Sequence, residues 1–179
     1  RAVATDDEVA IHVGDDPVAR LPGGGAGYQM VFSGGLDGLR TVDVAPGTRR
    51  LVDDDVPAML ALIELTQPGP FRPRTIELGN YFGIFHGDQL MAMAGQRIRV
   101  PGYTEISAVC THPDARRRGY AAAISAVVAR AIINGGATPI LHVAGHNDNA
   151  HRVYAALGFE VRCEPTFAAV QAPGSSSDG

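Results

Sequence analysis

Between residues 103 and 170 the apolar pattern keeps changing its period, and that alternation limits what the chain can fold into. Residues 103–111 are rich in β-formers and read as a strand. Residues 119–133 carry Ile124, Val127, Val128 and Ala131 at helical spacing, and Gly135-Gly136 ends that helix. Residues 139–144 form an apolar run of strand length. Residues 148–157 read as a helix stopped by Gly158, and residues 159–170 as one or two final strands. Upstream, strands are expected at 81–85 and 89–100 around the turn His86-Gly87-Asp88, and Pro101-Gly102 turns the chain into the next strand. A strand–helix–strand–helix–strand run beside a hairpin implies an α/β (α+β) fold, a mixed sheet with helices on its faces.

The earlier residues are less legible. Asp53, Asp54 or Asp55 is placed to N-cap a helix with Pro57 in its first turn and Met59, Leu60, Leu62 and Ile63 as an apolar stripe; Pro68-Gly69-Pro70 stops it near Thr66. A short helix is expected at 74–78. Residues 28–33 suggest a strand. Before it lie an acidic stretch (Asp6, Asp7, Glu8, Asp15, Asp16) and a Gly-rich run at 22–27. That run lacks the GxGxxG spacing and no convincing helix follows, so it reads as a flexible turn between short strands. The expected organisation is a poorly assigned segment at 1–48 with extra strands, one domain at 49–171, and a small, polar, disordered tail at 172–179.

Composition removes several functions. All 15 basic residues are Arg, so a Walker A loop and a Schiff-base lysine are both impossible. A net charge of -4 argues against nonspecific nucleic-acid binding, although a local basic patch can still hold an anion. Cys110 and Cys163 sit in apolar strand-like runs and not in a CxxC spacing, so they read as small hydrophobes. His142, His146 and His151 straddle a strand, a loop and a helix, a poor metal set, and no metal is expected. No apolar run reaches about 18 residues, so no transmembrane helix is expected. Residue 1 is Arg and not Met, which is compatible with a trimmed start; a cytoplasmic protein is the default expectation.

The stretch from Val109 to Ala121 carries the most chemistry: Val109-Cys110-Thr111-His112-Pro113-Asp114-Ala115-Arg116-Arg117-Arg118-Gly119-Tyr120-Ala121. A strand ends, Pro113 breaks it, and a loop opens a helix near Gly119. The first amides of a helix lack intrahelical acceptors and carry about half a positive charge between them. Glycine lets an anion approach that backbone closely. A pyrophosphate cradle and a solvated basic turn are both compatible with these residues.

Arg116-x-x-Gly119-x-Ala121 resembles the Q/R-x-x-G-x-G/A loop of the GNAT acetyltransferase superfamily. Asn147-x-x-Ala150-x-x-x-Tyr154-x-x-x-Gly158-Phe159 resembles that family's next helix. The resemblance implies a mixed, mostly antiparallel twisted sheet, acetyl-CoA as cosubstrate and an amine as acceptor. It implies that Arg116, Arg117, Arg118, Gly119, Tyr120 and Ala121 hold the pyrophosphate. It also implies that Val109, Cys110 and Thr111 line the pantetheine arm through their backbone, and that Asn147 belongs to the cofactor site. A backbone amide near Val109 would then polarise the acetyl carbonyl. Tyr154 is implied as the acid that protonates the departing thiolate; a phenol of pKa about 10 holds its proton at pH 7.

Glu105 stands where the family often has a carboxylate base. Period-two alternation puts Glu105, Ser107, Val109 and Thr111 on one face, with Glu105 about 13 Å from Val109, far enough to act through water. A salt bridge from Glu105 to Arg97 or Arg99 is the alternative. By position alone, Phe71, Arg72, Arg74 and Tyr81 are acceptor-site candidates. The run Glu105-Ile-Ser-Ala-Val-Cys-Thr-His-Pro113 is similar to the glycine-N-acyltransferase-like branch. The family resemblance allows a homodimer and gives no nucleic-acid or membrane partner. A non-catalytic acyl-CoA-binding module is the rival reading.

Overall fold

A computed structural model of the chain describes residues 7–12, 25–34, 36–39 and 42–171. Its strands are β1 (Asp7–His12), β2 (Gly25–Phe32), β3 (Thr48–Arg50), β4 (Tyr81–His86), β5 (Gln89–Val100), β6 (Tyr103–Thr111), β7 (Thr138–Ala144), β8 (Phe159–Cys163) and β9 (Thr166–Gln171). The helices are α1 (Leu36–Leu39), α2 (Val56–Thr66), α3 (Tyr120–Asn134) and α4 (Asp148–Ala156). One sheet runs β1–β9–β2–β7–β6–β5–β4–β3, and β8 pairs with the remainder of the β2 edge. Among the described strands only β6 and β7 pair in parallel; the other pairs are antiparallel.

The sheet is covered on both faces. On one, α2 buries Met59 and Leu62 against Tyr81, Leu90, Met93 and Cys110. On the other, α3 buries Ile124, Val128 and Ile132 against Ile84, Ala92, Ile106 and Leu141. The alanines at 123, 126 and 129 are buried too and let the helix lie close to the strands, whereas Val127 and Ala131 of the expected stripe are only half-buried. Because β5 has a helix on each side, residues 90–96 are buried without alternation. At Gly95 a Cβ would lie 2.1 Å from the Tyr81 ring, so the missing side chain makes room for that ring.

Several sequence expectations shift. The Gly-rich run is not a turn throughout: its last residues, 25–27, begin β2, and β2 pairs with β7 and β8 inside the sheet. The reason sits at Gly27, where a Cβ would fall 1.9 Å from Phe167 and 2.6 Å from the Val143 carbonyl. Asp53–Asp55 form a 3-10 turn ahead of α2, and no aspartate side chain caps the helix. Asp55 instead accepts from Arg49 at 2.6 and 2.7 Å and from the Val52 amide at 2.9 Å. The expected helix at 74–78 is a 3-10 turn, Pro73–Leu78. Asp6, Asp15, Asp16, the start of the Gly-rich run and the tail 172–179 lie outside the described residues.

Candidate functional site

β6 and β7 pair only from Tyr103↔Thr138 to Ile106↔Leu141. Both strands run on past that point, so they part. A cleft of about 560 Å³ opens between them, with Ser107, Ala108 and Val109 on one wall and His142, Val143 and Ala144 on the other. α4 adds Ala150 and Tyr154, the loop before it adds His146 and Asn147, and the loop after α2 adds Pro68, Gly69 and Pro70.

A bulge shapes the β6 wall. Met93 faces Cys110 and Gly95 faces Ser107, so Ala108 and Val109 together oppose Ala94. Ala108 takes a left-handed φ of 53°, rare for a residue with a side chain. A bulge leaves backbone groups out of the ladder and turns the side chains after it. Here it breaks the expected face. Ile106 packs under α3, which by alternation puts Glu105 on the α2 face, while Val109 joins Ile106 in the cluster under α3 and Cys110 takes the α2 side. Burial pushes the Cys110 thiol up to about 11. A thiol so placed is an inert core residue.

Past β6, the His112 ring accepts from the Asp114 amide at 3.2 Å and shapes a 3-10 turn at Pro113–Ala115. Arg116, Arg117, Arg118 and Gly119 are exposed, with Arg117 (φ 60°) and Gly119 (φ 77°) both left-handed. Gly119 N-caps α3 with no side-chain cap, so the amides of Tyr120 and Ala121 face outward unclaimed by the helix. A Cβ at Gly119 would meet nothing within 4 Å. Backbone donors, positive charge and open space therefore coincide. At α4, the Asn147 carboxamide accepts from the Ala150 amide at 3.1 Å, an N-cap that also lines the cleft. Tyr154 packs edge-on against Phe159, is 8% exposed, and still contributes to the cleft wall. Burial drives its phenol well above the ordinary value.

Glu105 is not free in the cleft. It is 1% exposed and accepts from Arg97 Nε and Nη2, each at 3.0 Å, and from His142 Nδ1 at 2.8 Å. Burial alone would raise its pKa, but the His142 and Arg97 hydrogen bonds outweigh that and hold it below the usual carboxylate range. The network continues. His142 Nε2 lies 2.9 Å from Gln29 Nε2, and Arg162 Nη1 donates to Gln29 Oε1 at 2.8 Å. Arginine can only donate, so the Gln29 oxygen must face it, and the Gln29 nitrogen donates to His142. The His142 proton therefore sits on Nδ1 and points at Glu105. Arg162, Gln29, His142, Glu105 and Arg97 form a belt across β8, β2, β7, β6 and β5 in their order in the sheet.

The acceptor candidates chosen by position do not line this cleft. Phe71 and Tyr81 are buried together under α2, ring centroids 5.7 Å apart, and the Tyr81 hydroxyl is enclosed, pushed up to about 12 by burial. Arg74 is exposed and paired with Glu77 at 2.8 Å. Arg72 opens the same 3-10 turn, its amide donating to Thr75. The cleft instead takes the preceding Pro68–Pro70. His151 stacks edge-on against Tyr28, and no three His, Cys, Asp or Glu side chains gather as a metal set among the described residues. A second concavity, about 580 Å³, lies beside β3, where Arg49 covers the Phe85 ring and pairs with Asp55. No described helix is long and apolar enough to cross a membrane.

Residues 81–168 match the FR47-like protein family. A comparison with curated proteins gives no match. Among solved structures, a protein assigned to the GNAT acetyltransferase family from Novosphingobium aromaticivorans is 33% identical, with a TM-score of 0.75, over 93% of this chain and 76% of that one. A GCN5-related N-acetyltransferase-like protein from Streptococcus suis (18% identity, TM-score 0.64) shares the fold over 82% of this chain and 62% of its own. So does the ribosomal-protein-S18-alanine N-acetyltransferase of Escherichia coli (19%, 0.56), over 74% and 98%.

Proposed function

The chain belongs to the GNAT acetyltransferase family, and from that premise we propose that it moves an acetyl group from acetyl-CoA to a primary amine, on a small molecule or a peptide N-terminus, by direct transfer. One observation carries the reading: a cleft between two parted strands runs past a buried phenol, and the longer of those strands leads to an uncapped helix start. The residues present fit such a cosubstrate. Val109 and Thr111 are proposed to offer backbone groups beside the bulge, and the amides of Gly119, Tyr120 and Ala121 to hold the diphosphate with Arg116, Arg117 and Arg118 around them. Cys110 takes part through its backbone alone, since its side chain turns to α2. Asn147 fixes the start of α4 beside the cleft. When bound, acetyl-CoA supplies the activated acyl carbon and a thiolate leaving group.

Tyr154 is proposed as the acid. Its burial keeps the phenol protonated at neutral pH, the state in which it can give a proton to sulfur as the carbon–sulfur bond breaks. The nitrogen of the new amide, still carrying an extra proton, is far more acidic than a phenol and returns one to Tyr154. A backbone amide near Val109 is proposed to steady the developing oxyanion. Glu105, expected as the base, is proposed instead to hold the cleft floor: a carboxylate with three donors on it has little basicity left to offer. We place the chain with the glycine-N-acyltransferase-like branch on the run from Glu105 to Pro113.

The test is a panel of primary amines with acetyl-CoA, following free thiol and product mass. Release of thiol with at least one amine supports the reading. Tight cofactor binding with no thiol released by any amine would make the protein an acyl-CoA-binding module instead.

A further inference from the structure

We propose, resting on the acetyl-transfer reading, that His146 is the group that takes the proton from the incoming amine. Among the described residues, the titratable side chains on the cleft wall that can accept a proton are Glu105, His142 and His146, since Tyr154 is held protonated and Arg97 is a cation. The belt removes two of them. Glu105 is covered by donors from Arg97 and His142. His142 spends its Nδ1 proton on Glu105, and its Nε2 lone pair accepts from a Gln29 amide that Arg162 locks in place. A proton arriving at that nitrogen would set donor against donor. His146 lies in the loop between β7 and α4, exposed at the cleft wall, and among the described residues neither ring nitrogen has a hydrogen-bond or ion-pair partner. Its neighbour Asn147 is fixed by capping α4, so the loop that carries it has a defined anchor.

Among the described residues, the charged and titratable groups that line this cleft besides His146 are Arg97 on β5, Glu105 on β6, His142 on β7 and Tyr154 on α4, with Asp148 in the first turn of α4; the loop after α2 brings Pro68, Gly69 and Pro70. Arg97 and Glu105 cancel as a pair. In the step proposed, an N–H bond of the substrate ammonium breaks and its proton moves to a ring nitrogen of His146. The freed nitrogen lone pair forms the new bond to the acyl carbon, and the imidazolium later loses its proton to solvent. No oxidant, metal or further reactant enters.

The experiment uses the full chain and two acceptors, an α-amine and a more basic amine, chosen from those that release thiol. Turnover at saturating acceptor is followed from about pH 5.5 to 9.5 for wild type, His146→Gln and His146→Ala. Wild type is expected to show one acid limb shared by both acceptors. Both variants are expected to lose about 10²-fold or more in turnover, with acetyl-CoA affinity unchanged by calorimetry. The remaining limb should then follow each acceptor's own pKa, and added imidazole should restore part of the rate to His146→Ala. A base role is overturned if the variants keep wild-type turnover, or if the wild-type limb already moves with the acceptor. A wild type that releases no thiol with any amine is a different failure, that of the acetyl-transfer reading itself.

Discussion

Replacing Gly119 by Ala separates two reasons for a glycine at the head of α3. The residue sits at φ 77°, where a side chain costs about 1–2 kcal/mol. An alanine also restricts the unfolded chain, which returns about 0.4–1 kcal/mol. The added methyl touches nothing within 4 Å, so there is no packing clash to add. The net loss of stability should be near 1 kcal/mol, a fall of about 2–4 °C in Tm for a chain of this size. Binding should suffer more. The open space beside Gly119 is where a diphosphate must come to reach the amides of Tyr120 and Ala121, and each charge-assisted hydrogen bond lost removes about 1.5–3 kcal/mol. Coenzyme A should therefore bind roughly 10- to 150-fold more weakly. Calorimetry with coenzyme A, beside thermal unfolding without it, reads the two effects independently. Gly119→Glu, which sets a negative charge in the same space, should bind too weakly to detect. Normal affinity in Gly119→Ala together with the small fall in Tm would mean that the glycine serves only the backbone turn, and the phosphate assignment would be wrong.

Tyr154→Phe should lower turnover by about 10²-fold or more while leaving coenzyme A affinity within about twofold, read by thiol release and calorimetry; unchanged turnover removes the phenol from the mechanism. Glu105→Gln tests the belt. The carboxyl's folded pKa lies below its unfolded value, so the ion-paired form adds stability above about pH 4.3, and this is lost as pH falls through the folded pKa. The variant should be less stable by about 1.5–3 kcal/mol at neutral pH, and the gap should narrow in acid melts; a gap independent of pH would refute the pairing. Gly27→Ala should cost at least about 1–3 kcal/mol in urea unfolding, because its methyl meets both the Phe167 ring and the fixed Val143 carbonyl. Wild-type stability there would disprove the close approach of β9 to β2.

Long, strongly patterned segments were legible from residue order alone: β4 to β7, α3 and α4 fall within a residue or two of where periodicity and the Gly and Pro stops put them. What escaped did so for identifiable reasons. α1 and β3 are too short to carry a period. β2 opens with glycines that read as a turn, and only the approach of Phe167, from a distant part of the chain, explains them. The bulge at Ala108 has no local sequence signal, yet it slips the alternation by one residue and moves Val109 off the face of Glu105. His146 stood out in the sequence only as one of three histidines too scattered to hold a metal. Its relevance comes from the company on the cleft wall, and above all from what happens to Glu105 and His142.

That company explains why a polar belt lies at this place in the sheet. Buried ion pairs rarely stabilise a fold more than apolar side chains of the same volume would. At the crotch between β6 and β7, however, apolar packing would not specify where the strands stop pairing. Past Ile106 and Leu141 the two strands share no further backbone pair. The His142–Glu105 hydrogen bond straddles that point, and Arg97 and Gln29 tie the same two residues to the outer neighbours β5 and β2. Directional bonds of this kind fix a separation and a register, which nondirectional contacts do not. The belt can thus set the depth of the cleft while withdrawing its own titratable groups from the chemistry. A carboxylate and an imidazole used to hold the walls apart at a fixed depth are not available to carry protons, so that task passes to a group above the belt.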